Sequence, residues 1–296
     1  MNPASKKLIA SFAAMQILLY HCWIPVFAYG TALGSLERYL IATAYWGVDA
    51  YFFLAAYSLV SRPVEDYGSF IKNRALKIMP LFLIALAAGR FLWFIPSIMT
   101  VYLLLPPLHR ACAKKPVLGS ALIIAGWAAV TWLVLGVFKP SQDFGIFLFR
   151  IPAVILGAFA AGFKKKPDKD SAAVIGLYLI AAGNYLIHEF GYTHKLNVPF
   201  RGTFYLMGVP IMLGAVLLLD RLASDRIPRF IERFGGMTLE LYFSQMVFGT
   251  LIINSVLRLT GSRLIADLAA LTAIILISAA IKKFNDIIMS RLYGRQ

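Results

Sequence analysis

Long apolar stretches recur along the whole chain, separated by short polar segments that are rich in lysine and arginine. A transmembrane helix needs about 20 mostly apolar residues to cross roughly 30 Å of hydrocarbon. The pattern therefore predicts an all-α fold, a polytopic integral membrane helical bundle that forms one domain over residues 1–296. About ten transmembrane helices are predicted, at approximately 8–28, 39–60, 78–91, 93–110, 117–137, 144–163, 172–189, 203–219, 236–257 and 263–281.

The basic residues indicate how these spans are oriented. When the N-terminus is placed in the cytoplasm, the cytoplasmic segments hold most of the 29 Lys and Arg residues, as the positive-inside rule requires. Both termini are then cytoplasmic, and the protein is a multi-pass protein of the inner or plasma membrane. The densest basic cluster, which we expect on the cytoplasmic side, comprises Lys164, Lys165, Lys166 and Lys169.

Composition excludes several classes of protein. Hydrophobic residues make up 60% of the chain, whereas a soluble globular domain contains about 45–50%. The net charge of +15 is divided among clusters at the ends of apolar stretches, so no continuous basic face is predicted for nucleic acid. The two cysteines, Cys22 and Cys112, lack metal-ligand spacing, and neither a metal site nor a disulfide is predicted.

Three ionisable side chains fall well inside predicted spans. They are His21, Asp49 and Arg150, at about 9–15 Å from the outer ends of their helices at 1.5 Å per residue. Placing such a group in hydrocarbon costs roughly 2.5–3.5 kcal/mol, so each requires a partner, water or a function. We expect the three to converge in one cavity. Two alternatives stay open: His21 is a satisfied core residue, and Asp49 and Arg150 form an ion pair that only fixes packing.

Other ionisable groups have weaker patterns. Glu240 and Asp267 are expected near the ends of their spans, where both reach interfacial water. His188 and His194 are expected in or beside an outer loop, where a solvated role is favoured over catalysis.

Several stretches resemble a known family when they are taken in order. The three strongest are residues 17–21 (ILLYH), 47–57 (GVDAYFFLAAY) and 70–82 (FIKNRALKIMPLF). Weaker similarities follow at 92–94, 102–106, 150–157 and 236–243. Together they resemble the acyltransferase-3 family of membrane proteins. Members of that family move acyl groups from cytoplasmic acyl-CoA to extracytoplasmic polysaccharide, lipopolysaccharide, peptidoglycan or lipid-linked sugars.

The resemblance implies a catalytic arrangement for acyl transfer from a thioester to an alcohol. His21 is expected to act as the base, Asp49 to orient it, and Arg150 to stabilise the oxyanion. Tyr51 and Tyr57, in the second motif, are expected to bind substrate.

The donor implied by the resemblance is acyl-CoA, with acetyl-CoA expected, and no metal is required. Lys72, Arg74 and Lys77 are expected to bind the phosphates of coenzyme A just before a helix that starts at Pro80. The topology explains these basic residues equally well. The expected acceptor is a hydroxyl group of a glycan or a lipid-linked sugar.

The sequence departs from the family pattern at three places. An arginine is common eleven residues before the histidine, where this chain has Ala10; a Ser-Gly pair is replaced by Ala55 and Ala56; and Gln245 occupies the position of a late histidine. Two other functions therefore stay open: a transporter or flippase for a lipid-linked sugar, and a non-catalytic relative of the enzymes. The acyl group, the acceptor and the oligomeric state are also open.

Overall fold

The computed structural model describes residues 3–43, 46–61, 64–112, 142–162 and 233–293, with some isolated positions between 122 and 137. Throughout these residues the regular structure is helical, and no β-strand occurs in them, so the all-α prediction is confirmed there. In chain order the elements are α1 (Pro3–Cys22), α2 (Ala32–Thr43), α3 (Trp46–Ser61), α4 (Tyr67–Ala87), α5 (Phe94–Cys112), α6 (Gln142–Gly162), α7 (Thr238–Ser244), a π-helical turn (Gln245–Gly249), α8 (Thr250–Thr260) and α9 (Arg263–Tyr293).

Within the residues that the structure describes, two helical segments are long and apolar enough to cross a membrane, Thr238–Thr260 and Arg263–Ile287. They correspond to the last two predicted spans. The count of ten spans and the cytoplasmic termini stay predictions. The spans predicted at 172–189 and 203–219, and the lysine-rich loop at 164–169, lie outside the described residues.

The first predicted span is too long at its C-terminal end. Helix α1 ends at Cys22 rather than near residue 28, and the chain between α1 and α2 is irregular. Pro25 accounts for this end, because a proline disfavours helical backbone angles in the residue before it. The second predicted span, 39–60, is divided between α2 and α3.

The predicted helix start at Pro80 is wrong, because Pro80 lies inside α4. Asp66 caps this helix instead: its Oδ1 accepts a hydrogen bond from the backbone N–H of Ser69 at 3.1 Å, and its carbonyl accepts one from Phe70 at 3.0 Å. Proline within a helix is tolerated in membrane proteins, where neighbouring groups satisfy the freed carbonyl. The basic residues at 72–77 therefore lie on the helix, not before it.

The chain divides into two compact units. The first comprises Met1–Ile9, Val48–Lys77 and Trp93–Arg226, and the second comprises Ala10–Gly47, Ile78–Leu92 and Ile227–Gln296. The core of the first unit contains Phe52, Phe53, Ala56, Ile98, Val101, Ala153 and Val154. Buried apolar residues of the second unit include Leu18, Cys22, Leu241, Ile253, Ala270 and Ile274.

Candidate active site

A buried ion pair links α3 and α6 in the first unit. Nη1 of Arg150 donates a hydrogen bond to Oδ2 of Asp49 at 2.5 Å, and the two side chains are 3% and 0% exposed. Oδ1 of Asp49 has no hydrogen-bond partner among the described residues. Two of the three predicted catalytic residues are thus brought together as a buried ion pair, and breaking such a pair by removing one partner is strongly destabilising.

Close backbone packing holds α3 and α6 together beside this pair. A Cβ atom added to Gly157 of α6 would clash with the carbonyl oxygen of Phe53 in α3. Gly157 therefore lets the two helices approach more closely than any other residue type would permit. Phe53 lies one helical turn after Asp49, so this contact fixes the helix that carries the carboxylate.

Aromatic residues pack beside the same part of α3. The ring of Phe52 is 5.2 Å from that of Phe94 and 6.2 Å from that of Phe147, measured between centroids. Tyr51, one of the predicted substrate-binding residues, is partly buried and lies 6.2 Å from Phe94. These rings place the ion pair in an apolar environment, in which its electrostatic interactions are strong.

The basic side chains of α4 belong to this first unit and are exposed. The Arg74 guanidinium lies 5.3 Å from the centre of the Phe70 ring and 5.4 Å from that of Tyr102, within range of cation–π attraction. Lys72 and Lys77 are also exposed. At 100° per residue, Arg74 and Lys77 project from neighbouring faces of the helix, whereas Lys72 projects from the far side from Arg74.

Tyr57 lies two helical turns after Asp49 on α3, at the opposite end of the helix. The Lys6 ammonium group lies 4.8 Å from the centre of its ring. Tyr67 OH at the start of α4 donates a hydrogen bond to the carbonyl of Leu103 in α5. The first unit therefore has its buried ion pair near one end of α3 and the Lys6 ammonium group near the other.

His21 belongs to the second unit. It is the penultimate residue of α1, its side chain is exposed, and its ring makes an edge contact with Tyr20 at 5.0 Å. Because it lies in a different unit from Asp49 and Arg150, the predicted convergence of all three stays a prediction. Likewise, the binding roles of the predicted substrate residues stay predictions.

A set of acidic side chains in the second unit binds the chain that follows His21. Glu37 of α2 is 8% exposed and accepts three hydrogen bonds: from the Trp23 indole at 2.8 Å, from the backbone of Val26 at 2.9 Å and from that of Phe27 at 3.0 Å. Glu37 lies outside the predicted spans. Burial acts to raise the pKa of Glu37, but these three hydrogen bonds, with the charge of Arg38, outweigh it and hold the pKa below its ordinary value.

Asp267 and Glu240 are more deeply buried than the sequence predicted, so their placement at interfacial water is wrong. Asp267 is fully buried, and its Oδ1 accepts a hydrogen bond from the backbone N–H of Ile24 at 3.0 Å. Glu240 is 4% exposed and has a side-chain hydrogen bond with Asn285. Each carboxylate has a hydrogen-bond partner within the protein, because neighbouring helices cover these ends of the predicted spans.

Buried polar groups lie in the second unit where α7 meets the π-helical turn. Ser244 Oγ and Gln245 Oε1 are buried and have no hydrogen-bond partner in the part of the chain that the structure describes. A Cβ atom added to Gly249, at the end of the turn, would lie 2.9 Å from Sγ of Cys22. The turn therefore packs tightly against the end of α1, next to His21 in sequence. Such turns occur frequently at functional sites.

Sequence reasoning missed the hydrogen bonds of Glu37 and the role of Gly157. The sequence could not predict these hydrogen bonds, because two of the three partners of Glu37 are backbone N–H groups, which any sequence supplies. His188 and His194 lie outside the described residues. Within those residues no group of three His, Cys, Asp or Glu side chains is arranged to hold a metal ion.

Comparison with known families agrees with the resemblance noted in the sequence. The model of the acyltransferase-3 family, an acyltransferase domain, matches residues 90–283, a range that contains Arg150 and begins after His21 and Asp49. No curated protein matches the chain, and no solved structure does. Because the family match covers more than half of the chain, the protein belongs to the acyltransferase-3 family and is a membrane acyltransferase.

Proposed function

We propose that this protein transfers an acyl group, with acetyl expected, from cytoplasmic acyl-CoA to a hydroxyl group of an extracytoplasmic or lipid-linked glycan. The buried pair of Asp49 and Arg150 carries the proposal. A fixed guanidinium in an apolar environment is suited to stabilise negative charge that develops on a substrate oxygen. Such a pair is also expensive to bury, which favours a functional role over packing alone.

In the proposed reaction the acceptor oxygen attacks the thioester carbonyl while His21 removes the hydroxyl proton. Arg150 stabilises the negatively charged tetrahedral intermediate. The carbon–sulfur bond then breaks, and the CoA sulfur leaves with a proton from the His21 imidazolium. The products are an O-acyl ester and free CoA. Asp49 uses Oδ2 to hold Arg150, and its Oδ1 is an acceptor suited to orient an imidazole N–H.

The cationic side chains at the far end of α3 and on α4 support the choice of donor. Coenzyme A carries several phosphate charges, and its nucleotide portion stays at the cytoplasmic surface. Arg74 is the best candidate to bind these phosphates, because two aromatic rings hold its guanidinium in place. Lys6 is restrained in a similar way by Tyr57.

The test uses the purified protein in liposomes with acetyl-CoA and a glycan acceptor, and it measures release of free CoA. Acceptor-dependent release is expected, with an acetyl-sized mass increase on the glycan. His21→Ala should reduce turnover by about 10²–10⁴-fold. His109→Ala, at an exposed position at the end of α5, is the matched control. If turnover survives in His21→Ala, the catalytic role of His21 is wrong. If no CoA is released in the presence of the acceptor, the proposed donor and acceptor are wrong.

A further inference from the structure

The five residues after α1 are bound to side chains of α2 and α9 by an unbroken series of hydrogen bonds. We name residues 23–27 the clamped segment. Every member contributes a backbone or side-chain group to the series: Trp23, Ile24, Pro25, Val26 and Phe27. Glu37 binds three of them, Asp267 binds Ile24, and Arg263 donates a 3.3 Å hydrogen bond to the Pro25 carbonyl. The segment begins two residues after His21.

Carboxylates are unusual partners for the end of a helix. Irregular backbone at membrane depth must be hydrogen-bonded within the protein, but a neutral hydroxyl or amide satisfies that need at a smaller desolvation cost. Hydrogen bonds to an ionised acceptor are roughly twice as strong as neutral ones, and Glu37 alone accepts three from this segment. Two buried acidic side chains, on different helices, therefore hold this segment more rigidly than termination of α1 requires.

The last residue of α1 is also fixed. Cys22 is fully buried, and its Sγ lies against Gly249 of the π-helical turn. His21 thus precedes a residue held by packing and a segment held by hydrogen bonds, although its own side chain is exposed.

We propose that Glu37 and Asp267 are positioning residues for His21: by fixing the clamped segment, they keep the imidazole in one place relative to the substrates. The inference rests on the proposed function of His21 as the base. It predicts a large effect on turnover, since a misplacement of about 1 Å is enough to reduce a rate by 10²-fold. Neither residue contacts substrate in this scheme.

The experiment compares Asp267→Ala with Asp267→Asn in the acetyl-CoA assay. Only Oδ1 of Asp267 has a partner in the described chain, and Asn retains that acceptor. Asp267→Ala should lower kcat by about 10-fold or more and leave the KM for acetyl-CoA unchanged, and Asp267→Asn should recover most of the loss. Glu37→Gln loses only the Phe27 hydrogen bond, so its kcat should fall between those of Glu37→Ala and wild type. The two Glu37 variants replace the Asp267 pair in this test if Asp267→Ala does not fold.

Two further measurements separate positioning from general destabilisation. In a His21→Ala background, Asp267→Ala should cause no further loss of residual turnover, because groups that act as a unit are not additive. A further loss would overturn the inference.

The second measurement does not depend on enzymatic activity. Diethyl pyrocarbonate should modify His21 at a different rate in Asp267→Ala than in wild type, with His109 unchanged, as read by peptide mass spectrometry of the monodisperse fraction. An unchanged His21 rate overturns the inference whether or not His21→Ala abolishes transfer. If His21→Ala abolishes transfer but Asp267→Ala keeps the wild-type kcat, the proposed function of His21 stands and only the positioning role of Asp267 is overturned.

Discussion

Nη1 of Arg150 and Oδ2 of Asp49 lie 2.5 Å apart in the interior of the first unit, although 101 positions separate the two residues in sequence. The pair joins α3 to α6 and supplies a fixed positive charge in apolar surroundings. Its contribution to packing and its contribution to chemistry are different quantities. They can therefore be separated by substitution.

Asp49→Ala should lower the free energy of unfolding by about 3–5 kcal/mol, because it breaks a buried ion pair and removes the hydrogen bond that Oδ2 of Asp49 accepts from Arg150. Replacing both partners, as Asp49→Leu with Arg150→Met, should recover most of that stability without recovering acyl transfer. Thermal unfolding in detergent and release of CoA measure the two effects. A double variant that regains turnover would show that the pair only supports packing.

Gly157→Ala should destabilise the protein by about 1–3 kcal/mol, since the added Cβ forces the backbones of α3 and α6 apart. Turnover should fall as well, because the shift moves Asp49 relative to Arg150. Gly126→Ala is the matched control: a Cβ added there meets no atom within 4 Å. Equal behaviour of the two variants in thermal unfolding would contradict the packing argument.

Removal of the restrained cation on α4 should weaken donor binding rather than chemistry. We expect Arg74→Ala to raise the KM for acetyl-CoA several-fold with little change in kcat, and Arg74→Ala with Lys77→Ala to raise it further, because charge-assisted bonds to phosphate are lost. Lys72→Ala, on the far side of the helix, should have a smaller effect. Lys283→Ala, at an exposed position of α9, is the control for the change in net charge. An equal rise in the KM of Lys283→Ala would show that Arg74 has no specific role in donor binding.

The stability that Glu37 contributes should depend on pH. Its pKa is lower in the folded protein than its ordinary value of about 4.3. The contribution is therefore fully present above that value and is lost as the pH falls through the lower, folded-state pKa. The difference in Tm between wild type and Glu37→Gln should be constant from pH 7 to 5 and shrink below about pH 4. A difference that grows on acidification would mean that the carboxyl group is bound in its protonated form.

Gly249→Ala should destabilise the contact between the π-helical turn and α1, because its Cβ would lie 2.9 Å from Sγ of Cys22. Cys22→Ala removes the clashing atom, so the double variant should be more stable than Gly249→Ala alone. Thermal unfolding of the four proteins completes the cycle. Strict additivity of the two single changes would show that the atoms do not press on one another.

The sequence predicted the chemistry of buried residues better than the ends of helices. Asp49 and Arg150 stood out because charges inside apolar stretches need partners, and the structure pairs them. The start of α4 differs from the predicted start at Pro80, because proline is common at the first position of a helix but is also tolerated inside a helix of a membrane protein. The Asp66 cap, with an ordinary Asp-x-x-Ser spacing, determines the start instead.

What the sequence could not predict depends on contacts between distant segments. Nothing near Gly157 indicates that the carbonyl of Phe53 lies against it. The position of Asp267 near the end of a span predicts that it reaches interfacial water. In fact it is fully buried, because the chain that follows α1 folds back to meet it. The position of a residue along its own helix does not show whether a segment distant in sequence covers its side chain.

The directions in which the side chains of α8 point depend on the one extra residue in the π-helical turn. Deleting a residue from Gln245–Gly249 would turn the wider loop into regular α-helix and rotate everything beyond it by about 100° relative to α7. Ile253, buried in the native protein, would rotate away from its packing partners. Leu251, exposed in the native protein, would rotate toward the face that Ile253 had occupied. Hydropathy would scarcely change, so the variant would insert like the parent and yet present different side chains to α9.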